Sequence, residues 1–360
     1  MKVKTEQLKE LVNKSINGAS NNKLIPITQL MGIRRSGGSL ILTTTDATNY
    51  LYIDADSIFD DPSDSDIQVT VFAEQFAKLI SKMTSEYIEL NIKNDTLEVE
   101  GNGTYTLELP LDENGELIKY PDPLLEIPKG YSYEDEIKIS EVKTVIDSIK
   151  PSLATTLELP SITNYFVGEN VVATDRYKIA SFDNKMCNKE ILVSAQLMDL
   201  LSICDGDISY KIDKDYMIFE SKNCTIFSKQ SDDISEYPID AIENLIKEEF
   251  KSVCKVNKNE FIALLERISL FVGKYDDKAV RLYFEKNGIR VSNKNRKSNE
   301  CIDYIDSKNY ESYDCVIDVD MLLTQLKAYS SDSVEIHYNN EASIKFVDDK
   351  VIQIVALMED

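Results

Sequence analysis

VFAEQFAKLISKM (residues 71–83) is the stretch that decides the fold, because its pattern returns twice. A few strand-like residues lead through a small or polar residue into a helix pattern. Phe76, Leu79 and Ile80 take the i, i+3, i+4 spacing that builds one apolar helix face. LVSAQLMDLLSIC (192–204) repeats this with Leu197, Leu200 and Leu201. VIDVDMLLTQLKAY (316–329) repeats it with Leu322, Leu323 and Leu326. The copies start 121 and 124 residues apart, close to one third of the 360-residue chain.

The flanks repeat as well. Residues 86–111, 206–230 and 332–358 alternate apolar and polar side chains, with Asn, Asp and Gly turns between, as half-buried antiparallel hairpins do. Upstream of each helix lies another, EQLKELVNKSI (6–16), SEVKTVIDSIK (140–150) and NEFIALLERISLF (259–271), followed by further hairpin-like strands. Each unit therefore reads helix, strands, helix, strands, which is an α+β domain and far too long for a solenoid repeat. The pattern predicts three similar domains, 1–120, 121–245 and 246–360. The links are KYPDPLLEIPKG (119–130) and YPIDAIENLIKEE (237–249).

Composition narrows the function. The chain carries 40 Lys and Arg against 63 Asp and Glu, a net charge of −23. Such a total favours solubility and repels nucleic acid on average, yet it is only a sum and leaves room for a local basic surface. No signal peptide and no membrane-length apolar run is visible, so no membrane partner is expected. The six cysteines form no CxxC pair and are expected as reduced thiols in a cytoplasm.

No catalytic or metal-binding constellation emerges, and no cofactor is expected. His337, the single histidine, falls in an alternating strand pattern without HExxH or triad context. RSGGSL (35–40) is a hairpin turn and not a nucleotide cradle. The paired acids Asp60–Asp61, Asp232–Asp233 and Asp348–Asp349 lie in turn-like segments, whereas a two-metal nuclease needs carboxylates converging from strand ends.

ATDRYKIASF (173–182), after a strand of the second unit, resembles the TDxxRLA segment of bacterial β sliding clamps. KLIPITQLMGIRRSGGSLILTTTD (23–46) resembles the first-domain strand and hairpin of that family, EYPID (236–240) its FPDY, and KAVRLYFEKNGIRVSNKN (278–295) its third-domain hairpin. QIVALMED (353–360) stands at the position of its closing strand. Each motif is weak alone; their order and their agreement with the threefold repeat make the resemblance specific over the whole chain. AT-rich residue usage and divergence suggest a phage or mobile-element version, in the cytoplasm of a bacterium or of an infected host.

The resemblance implies the DNA-clamp fold, with two helices per domain on antiparallel sheets and a head-to-tail homodimer ring. It implies a non-enzymatic processivity factor that encircles duplex DNA without sequence preference. Polymerase and other clamp-binding-motif proteins would be its clients, and an ATP-dependent loader would open it. DNA-facing cations are expected at Lys9, Lys14, Lys23, Lys78, Lys82, Lys143, Lys150, Arg267 and Lys327. The resemblance of the TDxxRLA, FPDY and C-terminal segments carries a client-peptide pocket onto Leu159, Thr174, Arg176, Tyr177, Lys178, Ile179, Pro238, Ile242, Met321, Ser343, Val355, Ala356, Leu357 and Met358, with Leu159 placed by aligning LPSI (159–162). Leu159, Ile179, Val355, Leu357 and Met358 would form its apolar floor. Arg176, Lys178 and the Tyr177 hydroxyl would hold the peptide's polar or acidic flank. Asp175 is expected to brace the turn.

Leu107, Phe271 and Val272 match the family's subunit interface. Four positions depart from the family. Arg176 replaces a small residue, Tyr177 a histidine, Ala356 a proline and Met358 an arginine. An alternative remains: a clamp-like decoy that binds client peptides and interferes with a host replisome.

Overall fold

Each of the three repeated patterns forms a helix at the end of a strand. The computed structural model describes residues 1–36, 38–56, 67–127, 132–156, 158–231, 233–272, 278–293, 301–309 and 311–359. Asp60–Asp61 and Asp232 lie outside the described residues.

In the first third the strands are β1 (Lys2–Lys4), β2 (Leu30–Ser36), β3 (Ser39–Thr45), β4 (Asn49–Asp56), β5 (Gln68–Phe72), β6 (Tyr87–Lys93), β7 (Thr96–Glu100) and β8 (Thr104–Glu108). In the second they are β9 (Asp135–Ile137), β10 (Asn164–Val167), β11 (Val171–Thr174), β12 (Lys178–Phe182), β13 (Ile191–Ser194), β14 (Ile208–Ile212), β15 (Tyr216–Ser221) and β16 (Cys224–Lys229). The last third holds β17 (Ser252–Asn257), β18 (Ala279–Glu285), β19 (Gly288–Asn293), β20 (Ile302–Asp306), β21 (Tyr313–Asp318), β22 (Ser333–Tyr338), β23 (Ser343–Asp348) and β24 (Val351–Ala356). The helices are α1 (Thr5–Ser15), α2 (Ala73–Lys82), α3 (Ile139–Ile149), α4 (Ala195–Ser202), α5 (Ile239–Lys247), α6 (Lys258–Ser269) and α7 (Val319–Lys327).

The threefold repeat is written into the strand order. β1-β6-β7-β8 has the same connectivity as β9-β14-β15-β16 and β17-β22-β23-β24. β5-β2-β3-β4 has that of β13-β10-β11-β12 and β21-β18-β19-β20. All pairings are antiparallel.

The described residues pack as two compact units, residues 1–139 with 196–230 and residues 140–195 with 231–360. In the first, β4 pairs with β16 and fuses two four-stranded modules into one eight-stranded sheet. In the second, β12 pairs with β24 to the same effect. Each unit also holds a separate four-stranded sheet.

The helix stripes read from sequence are mostly the buried ones, with Leu79 half-buried. Phe76 and Ile80 of α2, Leu197, Leu200 and Leu201 of α4, and Leu322 and Leu326 of α7 are almost fully buried. Asn257 caps α6 by accepting from the Glu260 N–H, and Asp318 caps α7 by accepting from Asp320 and Met321. One element differs from expectation. Residues 239–247, read as part of a link, form α5, so the described helices number seven where six were expected. Its Ile239, Ile242 and Ile246 follow helical spacing, and Ile242 is buried.

Candidate functional site

The resemblance placed a pocket around β12, and that region lies wholly within the second unit. β12 and β24 pair in register, with Ile179 opposite Ile354 and Ser181 opposite Ile352. Successive side chains alternate between the two faces of a sheet. One face therefore carries Ile179, Ile352 and Ile354, joined across the sheet by Val172, Phe166 and Leu192. Ala154, Ile162, Tyr237 and Ile242 complete this apolar cluster, and Ile239 and Ile246 of α5 pack against it. The Tyr237 hydroxyl donates to the Val172 carbonyl at 3.2 Å, and its ring lies 5.4 Å from Phe166. Burial pushes the Tyr237 hydroxyl pKa well up.

Lys345 pairs with Ile354 and locks α5 down. Its ammonium donates to the carbonyls of Ile246 at 2.9 Å and Glu248 at 2.6 Å, at the C-terminal end of the helix, where a cation is favoured. Burial lowers the Lys345 pKa, opposed by Glu248. Neither Lys345 nor the Ile352–Ile354 pair was expected at the site. Strand alternation between Val351 and Ala356 is the sequence signal that could have found the isoleucines.

ATDRYKIA is a tight turn whose polar side chains are mostly spent on its own backbone. Asp175 Oδ1 accepts from the N–H groups of Tyr177 (3.0 Å) and Lys178 (2.7 Å), which is the bracing expected of it. Thr174 Oγ1 donates to the Lys178 carbonyl and accepts from the Arg176 N–H. Arg176 sits at φ +80°, a left-handed conformation that suits glycine. The turn lifts the Tyr177 side chain out, 61% exposed. Arg176 Nη1 lies 3.9 Å from Glu158, which brings the segment bearing Leu159, 42% exposed, up to the turn.

Two residues do not occupy the expected places. Lys178 and Val355 are register partners, so both point away from the Ile179–Ile354 face. The Lys178 ammonium bonds the Pro151 carbonyl at 2.8 Å and sits 3.2 Å from Asp175. Val355 is fully buried, and Gln353, on its face, donates to the Ser148 carbonyl of α3. Val355 is thus packed in the core, and the Lys178 ammonium is bonded to groups of the protein itself. Ile179 and Ile242 are themselves 7% and 3% exposed, so they support a rim more than they line a cavity.

The other expected residues follow the C-terminal strand. Buried Ser343 pairs with half-buried Ala356. The Leu357 N–H donates to Ala342, and the Met358 N–H donates to Val316. Met321 is half-buried in the first turn of α7, and Pro238 stands exposed ahead of α5.

Both separate four-stranded sheets end on an open edge. β8 is the outer strand of one, with Leu107 buried and Tyr105 exposed. β20 is the outer strand of the other and exposes Ile302 and Tyr304. In the same unit Leu270 and Phe271 are also exposed, and Val272 is half-buried. Unpaired edges with apolar side chains invite pairing with another strand.

The helices expected to meet DNA carry their cations at the surface, mostly beside carboxylates. Lys9 pairs with Glu6, Lys14 with Asp205 and Glu10, and Lys78 with Glu74. Arg267 pairs with Asp303 and Lys327 with Glu266. Lys23, Lys82, Lys143 and Lys150 are exposed.

No protein-family profile and no curated protein matches the chain. Solved structures do. The DNA polymerase sliding clamp of Bacillus subtilis superposes with a TM-score of 0.87 at 18% identity, over 100% of this chain and 98% of that one. The DNA polymerase III subunit beta of Pseudomonas aeruginosa gives 0.84 at 17%, covering 100% and 99%. The beta subunit of Thermotoga maritima gives 0.86 at 16%, also over 100% and 99%. This chain has the sliding-clamp fold.

Within the clamp fold, two of the departures from the family now have a geometry. Arg176 takes a left-handed position at the head of the β11–β12 turn, and Tyr177 stands beside it as an exposed ring. Among the described residues no cluster of His, Cys, Asp and Glu could hold a metal ion.

Proposed function

We propose that the protein is a DNA sliding clamp and not an enzyme. Two copies close head to tail into a ring around duplex DNA, each contributing three domains, 1–120, 121–245 and 246–360. The observation that carries this reading is the threefold strand connectivity in a chain that matches sliding clamps end to end. The open edges of β8 and β20 support the closure, because an edge of each kind in every copy makes a heterologous contact that can close. The ring would hold DNA by topology, be opened by an ATP-dependent loader, and serve a phage or mobile-element replicon in a bacterial cytoplasm.

Client proteins dock, in this reading, on the rim formed by Leu159, Arg176, Tyr177, Pro238, Met321, Ala356, Leu357 and Met358. Ile179, Ile242 and Ile354 support it from beneath. The bulky cationic turn favours peptides with an aromatic or aliphatic anchor and an acidic flank, so clients of the same replicon should bind better than host polymerase peptides. Equal affinity for both in a fluorescence titration rules that preference out.

Solution mass measured by light scattering over a concentration series tests the ring. A species of twice 40.9 kDa supports it, and retention on circular DNA with release on linearisation completes the case. A persistent monomer that still binds client peptides assigns the protein instead to a decoy role.

A further inference from the structure

The six helices that this clamp reading turns toward DNA are α1, α2, α3, α4, α6 and α7. Together they carry eight Lys or Arg against nine Asp or Glu. One of the eight, Lys258, is buried and donates to the Tyr329 carbonyl at 2.7 Å, so it is spent inside the fold. Of the nine cations expected to face DNA, at least five sit within ion-pair distance of a carboxylate. Lys9 lies 2.8 Å from Glu6, Lys14 2.5 Å from Asp205 and 3.4 Å from Glu10, and Lys78 2.5 Å from Glu74. Arg267 lies 2.6 Å from Asp303, and Lys327 of α7 lies 2.7 Å from Glu266 of α6.

These pairs are arranged, not scattered. Glu74–Lys78 and Glu10–Lys14 are i, i+4 pairs with the acid N-terminal, the favourable order on a helix. Asp205 is itself fixed by Asn223, which donates to the same oxygen that Lys14 reaches. Burial alone would lower the Lys14 pKa, but hydrogen bonds to Asp205 and Glu10 outweigh it. Arg267 presents both Nε and Nη2 to one Asp303 oxygen.

A paired cation has little to offer a phosphate. To neutralise DNA it must leave its carboxylate, and the carboxylate left behind repels the same backbone. Counterion release, which drives binding to duplex DNA, then falls with the number of cations held back. We propose that Glu6, Glu10, Glu74, Asp205, Glu266 and Asp303 attenuate the DNA-facing cations. The ring then holds duplex by topology, with a grip weaker and less salt-dependent than its number of DNA-facing cations would give. This rests on the clamp reading and adds the regulation of its DNA-facing surface.

The test uses the full chain and a short fluorescent duplex, with anisotropy read over a series of salt concentrations. One variant neutralises the attenuators, Glu6→Gln, Glu10→Gln, Glu74→Gln, Asp205→Asn, Glu266→Gln and Asp303→Asn. A second adds Lys9→Gln, Lys78→Gln and Lys327→Gln to it. The first should bind at least about tenfold more tightly at low salt. Its slope of log K against log salt should steepen by roughly one unit for each freed cation that reaches a phosphate. The second should return toward the parent slope, which separates freed cations from a general loss of negative charge. Unchanged melting temperatures confirm that these surface changes leave the fold intact.

If the first variant keeps the parent slope while Lys→Glu changes at the same helices weaken binding, the attenuation is refuted and the clamp reading stands. If it binds less tightly than the parent, the carboxylates assist DNA binding, and the proposal fails. If neither variant nor the Lys→Glu series alters DNA binding, the DNA-encircling reading falls and takes this proposal with it.

Discussion

Arg176 holds a conformation that favours glycine, at a place where the clamps that the sequence resembles have a small residue. A left-handed L-residue costs about 1–2 kcal/mol, partly offset in any glycine replacement by the greater freedom of the unfolded chain. Arg176→Gly should therefore leave stability unchanged or raise it by up to about 1 kcal/mol in thermal denaturation, while weakening binding of acid-flanked client peptides. That opposition would mark the arginine as kept for recognition. Asp175→Ala removes two backbone hydrogen bonds of the turn and should cost about 1–2 kcal/mol. His337 gives the pH dependence. Burial, then Lys345, lowers its pKa from 6.5, opposed by Glu335. The unfolded chain then binds the proton more readily, so this contribution to stability is present above pH 6.5 and is lost as pH falls toward the lowered value. His337→Phe should flatten that part of a pH–stability curve.

At the scale of elements, α5 was hidden in the sequence by its setting. Pro238 and the run of acids around it read as a link, although Ile239, Ile242 and Ile246 follow the helical period over little more than two turns. So short a helix is marginal alone and is stabilised by what it packs on, here the Ile179–Ile354 face and the Lys345 ammonium at its C-terminal end. Lys345→Met should leave two carbonyls unpaired and cost about 1–3 kcal/mol. Hydrogen exchange should quicken first across residues 239–247. If exchange there stays at the parent rate, the lysine does not anchor the helix. The repeat helices were legible although α4 and α7 are no longer than α5, because Phe76, Leu200 and Leu322 recur at matching places after a strand in each third of the chain.

For the whole molecule, the open edges set the expectation. Ile302→Lys with Tyr304→Lys places charge on the exposed outer strand β20 without touching the core. If the proposed ring closes through β20, sedimentation should show self-association weakened by about tenfold or more, as expected when apolar anchors at an interface are lost. A dimer of unchanged affinity would mean that the copies meet elsewhere.

The sequence by itself determined the threefold α+β repeat, the helices that carry it, and the turn at ATDRYKIA. These depend on periods of two and 3.6 residues and on local side-chain bonds such as those of Asp175, which are present wherever the chain runs. Only the tertiary structure decided which side of the β12–β24 seam each residue takes. Lys178 and Val355 are adjacent in sequence to Ile179 and Ile354 yet face away from them, because a shift of one residue along a strand reverses the face. It also decided that two of the cations expected to face DNA meet carboxylates of other elements, Lys14 with Asp205 and Arg267 with Asp303. A charge can be counted from the sequence, but its partner depends on which elements the fold brings together.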